Sequence, residues 1–210
     1  MPRACVFDLD GTLVDSLRDI AESLNHCLDL LGLPTHPVDA YRYMVGEGVP
    51  TLCRRAIGHT HPHLVARLAE LARSYYRTRP LRHTRPYPGI SDLLARLRRQ
   101  GLRLGVLSNK PHDLTVRVVR TFWPDDTFEL VYGYVEEELR KPSPAYLERM
   151  CREFGVGPSE CWVIGDTPTD VQTAHAAGAP AIGVTWGFRT RADLEAAGAD
   201  LIIDRPEELG

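Results

Sequence analysis

The chain has 210 residues, of which 43% are hydrophobic and 25% charged, with a formal net charge of -3. This length supports one ordinary domain or a core with a small insert, and it buries enough apolar surface to fold without disulfides or a structural metal. The small negative charge excludes a global basic field for nucleic acid, and no apolar run approaches the length of a membrane span.

The five cysteines are odd in number and form no CxxC, and Met1-Pro2-Arg3 leads straight into a strand pattern, so a reduced, cytoplasmic chain without a secretory leader is expected. The first predicted strand is Ala4-Cys5-Val6-Phe7, a short apolar run of the kind buried in parallel sheets. It ends in Asp8-Leu9-Asp10-Gly11-Thr12-Leu13. Ligands of open α/β sheets bind beyond the carboxyl ends of the strands, so Asp8 and Asp10 stand where chemistry is expected. Two such carboxylates raise each other's pKa unless a cation lies between them.

Residues 15–85 then read as helix throughout. Leu17, Ile20, Leu24, Leu28 and Leu31 form one apolar face, a second helix surrounds Val49–Ala56, and a third or fourth covers Leu64–Tyr76. The exit, Thr78–Gly89, carries Pro80, Pro86, Pro88 and Gly89, the composition of a linker. Arg77, Arg79, Arg82 and Arg85 read as a solvated hinge face.

Beyond the linker, strands and helices alternate. A helix is predicted over Gly89–Gln100 and a strand over Leu102–Leu107. The strand is followed by Ser108-Asn109-Lys110-Pro111, where a hydroxyl and the first amides of a helix can hold phosphate oxygens. The same residues also fit an ordinary helix cap. A strand at Leu130–Tyr132 precedes Arg140-Lys141-Pro142-Ser143-Pro144, which sets a lysine just before a helix over Pro142–Phe154, with Pro142 in its first turn. The strand at Trp162–Ile164 runs into Gly165-Asp166-Thr167-Pro168-Thr169-Asp170. Asp166 stands at the strand end; Asp170, in the first helical turn, fits either a supporting acid or a helix-dipole partner. Strands at Ala181–Val184 and Leu201–Ile203 complete an α/β fold with a mainly parallel, Rossmann-like sheet. Three strand ends thus supply carboxylates and a hydroxyl, and the connections add a lysine. An all-oxygen donor set suits Mg²⁺, and no His/Cys cluster has zinc spacing.

The motifs DLDGT, LSN, RKPSP and GDTPTD, in this order, resemble those of the haloacid dehalogenase superfamily over nearly the whole chain. The helical insert resembles the small type C1 cap of phosphoglycolate phosphatases. This divides the chain into a core of residues 1–14 and 86–210 and a cap of residues 15–85. Val45–Ala56 looks like the specificity loop and the helix after it, and Gly183–Phe188 through Ile203–Pro206 is typical of that subgroup.

The resemblance implies an aspartyl-phosphate phosphatase. Asp8 would attack phosphorus, and Asp10 would serve the leaving oxygen and then the hydrolytic water. Mg²⁺ would be held by Asp8, the Asp10 carbonyl and Asp166, with Asp170 supporting the shell. Ser108, Asn109 and Thr12 would bind substrate, Lys141 would pair with the nucleophile and phosphate, and Gly48 and Arg55 of the cap would contact substrate. Cap closure, hinged near Val14–Ser16 and Thr84–Pro88, would exclude water.

The implied partner is a small phosphorylated metabolite, with 2-phosphoglycolate first, for a monomer or homodimer. Glu47 between the two loop glycines opposes an anionic substrate unless it points away or pairs with Arg54 or Arg55. Pyrophosphatase and sugar phosphomutase are the rivals. The latter usually has a histidine in the first cap helix, and Leu17–Ile20 holds none. Dehalogenases typically lack the second acid, here Asp10. A non-catalytic phosphate-binding module would have lost a catalytic carboxylate, and none is lost.

Overall fold

The computed structural model describes residues 2–79 and 81–209; Met1, Pro80 of the predicted linker, and Gly210 lie outside the described residues. The chain divides into two compact units, one formed by the segment ending at Asp15 together with everything from Pro86 onward, the other by Ser16–Arg85. In chain order the first elements are β1 (Ala4–Phe7), β2 (Val14–Asp15), α1 (Leu17–Leu30), α2 (Gly48–Ile57), α3 (Val65–Thr78) and β3 (Arg85–Pro86). There follow α4 (Ile90–Arg99), β4 (Arg103–Pro111), α5 (His112–Phe122), β5 (Leu130–Tyr134), α6 (Ala145–Phe154), β6 (Cys161–Gly165), α7 (Pro168–Ala177), β7 (Ala181–Val184), α8 (Arg191–Ala196) and β8 (Leu201–Ile203).

The larger unit is built on a six-stranded sheet of order β5-β4-β1-β6-β7-β8, and its strand pairs are parallel. This is the α/β, Rossmann-like core that the alternation of strand and helix patterns predicts. Ala4 and Val6 pack on one face with Leu147, Met150 and Phe154 of α6, Val171 of α7 and Leu194 of α8. Cys5 and Phe7 point to the other face and are equally buried. A strand covered on both sides needs apolar residues at every position, which is why β1 reads as an unbroken run rather than an alternation.

β1 lies in the middle, with β4 on one side and β6 on the other. Phe7 is in register with Val106 and with Ile164. The residues just beyond, Asp8, Ser108 and Asp166, therefore emerge at nearly one level along one sheet edge. The chain leaves β1 in opposite directions here, and such a switch point opens a crevice at the carboxyl ends.

Two local expectations are corrected. β4 does not stop at Leu107 but continues through Ser108 to Pro111, and α5 starts at His112. Ser108 and Asn109 are thus strand residues rather than the opening of a helix. The helix expected from Pro142 begins at Ala145, so Pro142 precedes it and is not in its first turn.

The smaller unit contains α1, α2 and α3. Leu24, Leu28, Tyr41, Cys53 and Leu68 are nearly inaccessible and form its core. Asn25 organises the connection after α1: its amide donates to the His36 carbonyl at 2.7 Å, and its carbonyl oxygen accepts from His36 N–H and from the Tyr41 hydroxyl. Asp19, 3% exposed, accepts from the backbone N–H groups of His83 and Thr84 and from the Thr84 hydroxyl. Arg77, Arg79, Arg82 and Arg85 are exposed. Among the described residues no helix is long and apolar enough to cross a membrane.

Candidate active site

Asp8 directly follows β1, and its backbone N–H donates to the Ile164 carbonyl at 2.8 Å, which ties it to β6. Its side chain is nearly buried. Burial pushes its carboxyl up to about 7, against the opposing pull of the Lys141 ammonium and with a further push from Asp170 and Asp10.

Lys141 lies between the carboxylates. Its ammonium donates to Asp8 Oδ1 at 2.8 Å, to Asp170 Oδ1 at 2.6 Å and to the Leu107 carbonyl at 2.9 Å. An ammonium has three protons, so these three acceptors fix its direction completely. Burial alone would lower its pKa, but the charges of Asp170 and Asp8 outweigh burial and raise it, so the cation is locked on.

Asn109 places this lysine. Its amide donates to the Lys141 carbonyl at 3.0 Å and its carbonyl oxygen accepts from Lys141 N–H at 2.9 Å. The Asn109 side chain is thus a two-point backbone clamp on the lysine loop, a consequence of β4 running on past Leu107. Ser108 is 3% exposed, and its oxygen accepts from Lys110 N–H at 3.2 Å. The hydroxyl proton of Ser108 is not used in that bond.

Asp166 follows β6 and is fully buried. One of its oxygens accepts from the Thr12 hydroxyl at 2.9 Å and the other from Phe188 N–H at 2.7 Å. Burial, then Asp8 and Asp170, push its carboxyl up to about 8. Thr12, expected among the substrate contacts, thus has its hydroxyl turned to Asp166. Its carbonyl in turn accepts from the Trp186 indole N–H at 3.0 Å.

Asp170 unites both of its sequence readings. Its Oδ2 accepts from Thr167 N–H and hydroxyl, capping α7, while Oδ1 faces Lys141. It was expected to support the metal shell, and it lies beside the expected ligands: Asp8, Asp166 and Asp170 each offer an oxygen, and these oxygens lie within 4.8 Å of one another.

Glycines allow this crowding. Gly11 has φ +96°, a conformation other residues rarely adopt, and a Cβ there would collide with the Asp166 carboxylate. A Cβ at Gly187 would meet Asp166 and the Gly11 carbonyl, and one at Gly165 would meet Asp170.

The arrangement passes a test for a divalent cation. Three buried carboxylates converge, with a single ammonium against them, and the two that are pushed up are the pair flanking the strand ends. A hard cation with oxygen ligands would relieve that repulsion, and carboxylates with room for water suit Mg²⁺. The Asp10 carboxylate does not join this group. Both its oxygens accept from the Lys110 ammonium, at 2.9 and 2.7 Å.

Gly48 and Arg55 belong to the helical unit. Gly48, with φ +80°, opens α2. Arg55 pairs with Glu47 and donates to the Met44 carbonyl at 3.2 Å, which is one of the two ways in which the Glu47 charge was expected to be answered.

Sequence reasoning passed over Lys110, Gly187 and Phe188 as site residues. Lys110 sits inside the quoted SNKP motif, but its direction depends on the extended strand. Gly187, flanked by Trp186 and Phe188 just past β7, was a readable signal of close backbone approach.

Comparison with known proteins agrees with this geometry. Residues 5–184 match the haloacid dehalogenase-like hydrolase family. A phosphoglycolate phosphatase of Pseudomonas putida is 35% identical over 97% of this chain and 77% of its own. One from Chromobacterium violaceum is 36% identical over 99% of this chain and 94% of its own. The crystal structure of a predicted phosphoglycolate phosphatase from Haemophilus somnus superimposes with a TM-score of 0.89 at 28% identity, covering 99% of this chain and 96% of that one. With a family match over most of its length, and with its carboxylates and lysine at the sheet's switch point, the chain belongs to the haloacid dehalogenase-like hydrolase family and is a phosphatase within it.

Proposed function

We propose that this protein hydrolyses a small phosphomonoester, 2-phosphoglycolate first among them, through a phosphoryl group carried on Asp8, with Mg²⁺ bound by Asp8, Asp166 and the Asp10 carbonyl and Asp170 beside them. The observation that carries this reading is Lys141, whose ammonium links Asp8 to Asp170 in a buried carboxylate cluster and is anchored on the Leu107 carbonyl. When bound, the metal would supply the positive charge that lets an anionic nucleophile approach an anionic ester.

The chain's own residues do the rest. Lys141 holds one Asp8 oxygen, which fixes the carboxylate plane and leaves the other oxygen for phosphorus. An Asp8–phosphorus bond forms as the ester bond breaks, and Asp10 delivers a proton to the departing oxygen. Asp10 then takes a proton from water as the water oxygen bonds to phosphorus and the Asp8–phosphorus bond breaks. The Ser108 hydroxyl proton is available to a phosphate oxygen. Thr12 and Phe188 N–H keep Asp166 aimed, so its position costs no reorganisation during the reaction.

The substrate choice is supported by the names of the curated relatives and by the Glu47–Arg55 pair, which neutralises the charge that argued against an anionic substrate. Five buried, unbridged thiols support a reducing, cytoplasmic setting.

The test is turnover of p-nitrophenyl phosphate and of a panel holding 2-phosphoglycolate, pyrophosphate and sugar phosphates. Activity with Mg²⁺, its loss in EDTA, and a fall of at least about a thousandfold in Asp8→Asn are expected. Undiminished turnover in Asp8→Asn would refute the nucleophile assignment. A bottom ranking for 2-phosphoglycolate would refute the substrate.

A further inference from the structure

Lys110 is the second ammonium at this sheet edge, and nothing in the reading above uses it. It is 8% exposed, yet its side chain reaches both oxygens of Asp10, whose side chain is 17% exposed. Its direction is built in by the backbone. The register of β4 against β5 shifts between Ser108 and Pro111, and a bulge of this kind re-aims the side chain it carries. The Thr115 hydroxyl donates to the Lys110 carbonyl at 3.2 Å and Ser108 Oγ receives its N–H. Gly133 of β5 has no side chain because a Cβ there would collide with the Lys110 carbonyl, Thr115 Oγ1 and His112 Cα. A lysine whose main chain is pinned on three sides, and whose head already grips a carboxylate by both oxygens, is a preformed carboxylate receptor.

We infer that Lys110 is a specificity-determining residue that reads a carboxylate on the leaving group of the substrate. The inference rests on Asp10 serving the leaving oxygen, as in the function proposed above. Asp10 must then stand within about 3 Å of that oxygen. The Lys110 ammonium, at 2.7–2.9 Å from Asp10, lies one shell further along the leaving group. A carboxylate two bonds from the ester oxygen, as in a 2-phospho-carboxylic acid, falls in that shell. Without substrate, Asp10 satisfies the ammonium. With it, the substrate carboxylate takes over one carboxylate's place at Lys110 and Asp10 turns to the leaving oxygen. A neutral leaving group offers no such exchange, so Lys110 stays on Asp10 and the reaction is slower.

The experiment compares kcat/KM for 2-phosphoglycolate and for 2-hydroxyethyl phosphate, which replaces the carboxylate by a neutral CH₂OH, in wild type, Lys110→Met, Lys110→Gln and Lys110→Arg. Wild type is expected to prefer 2-phosphoglycolate. In Lys110→Met and Lys110→Gln the ratio of kcat/KM for 2-phosphoglycolate to that for 2-hydroxyethyl phosphate should fall about 100-fold, the loss typical of truncating one partner of a buried charge pair, on top of any change common to both esters from the loss of the ammonium beside Asp10. Lys110→Arg should keep most of the preference, since the cation is retained. Two non-basic variants guard against one that misfolds, and an unaltered far-UV circular dichroism spectrum shows that each is folded. Equal losses on both esters, with the wild-type preference intact, overturn the role of Lys110 and leave the substrate proposal standing. A wild type without preference for 2-phosphoglycolate removes both.

Discussion

At the scale of single residues, the site is an exercise in directing four carboxylates that repel one another. Lys141 is directed by three acceptors, Asp166 by two donors, Asp170 by its own helix cap and Asp10 by Lys110. The small residues count as much as the charged ones. Gly187→Ala would drive a methyl group against Asp166 and the Gly11 carbonyl, and backbone cannot yield as a flexible side chain does. We expect the Mg²⁺ concentration for half-maximal activity to rise about 10–100-fold, the usual scale for disturbing the support of a metal ligand. A Mg²⁺ titration of turnover measures it, and an unchanged midpoint would show that the loop after β7 does not hold Asp166. The same position was open to reading in the sequence as a glycine between two aromatic residues, but its partner lies 21 positions earlier and no local pattern names it.

Among the elements, strand ends and helix starts decide where these residues stand. β1, β7 and β8 match their expected bounds, because each is a short apolar run closed by turn residues; β1 and β7 are buried on both faces, whereas β8 is the edge strand and leaves Leu201 exposed. β4 was misjudged by four residues, since Ser108, Asn109 and Lys110 are polar and an apolar-run criterion stops before them. They stay in the strand because Ser108 continues the ladder with Gly133 and Pro111 rejoins it at Tyr134. In the helical unit, Asp19 of α1 ties down the segment at His83 and Thr84 with backbone and hydroxyl bonds. Asp19→Ala would strand the buried Thr84 N–H and hydroxyl and the part-buried His83 N–H. The expected loss is about 2–3 kcal/mol, read as a lower urea midpoint by far-UV circular dichroism. A change under about 0.5 kcal/mol would mean that water replaces the carboxylate there.

For the whole molecule, the carboxylate cluster makes stability depend on pH. Asp8 and Asp166 titrate near 7 and 8 in the folded chain against 3.8 for an ordinary aspartate. Between these values the folded state binds more protons than the unfolded one, so this contribution to stability is full below about pH 4 and is lost as pH rises through 7 to 8. A cation bound by the ionised carboxylates would reverse the loss. The rise in Tm that Mg²⁺ gives over EDTA should therefore grow from pH 5 to pH 8. A rise that is constant or shrinks over that range would show that these carboxylates are not the metal's ligands.

By itself the sequence determined the α/β class, the helical segment between the first strand and the rest of the sheet, and which acids end strands. These follow from local facts: run length, periodicity, and a glycine or proline beside a carboxylate. Tertiary structure alone decided that Asn109 clamps the main chain of Lys141, that the Thr12 hydroxyl meets Asp166, that Asp170 lies beside Asp8 and Asp166, and that Lys110 grips Asp10 from 100 positions away. The physical reason is that a sequence pattern fixes where an element ends, whereas a side chain's partner depends on sheet order and on register shifts that bring distant strand ends to one edge.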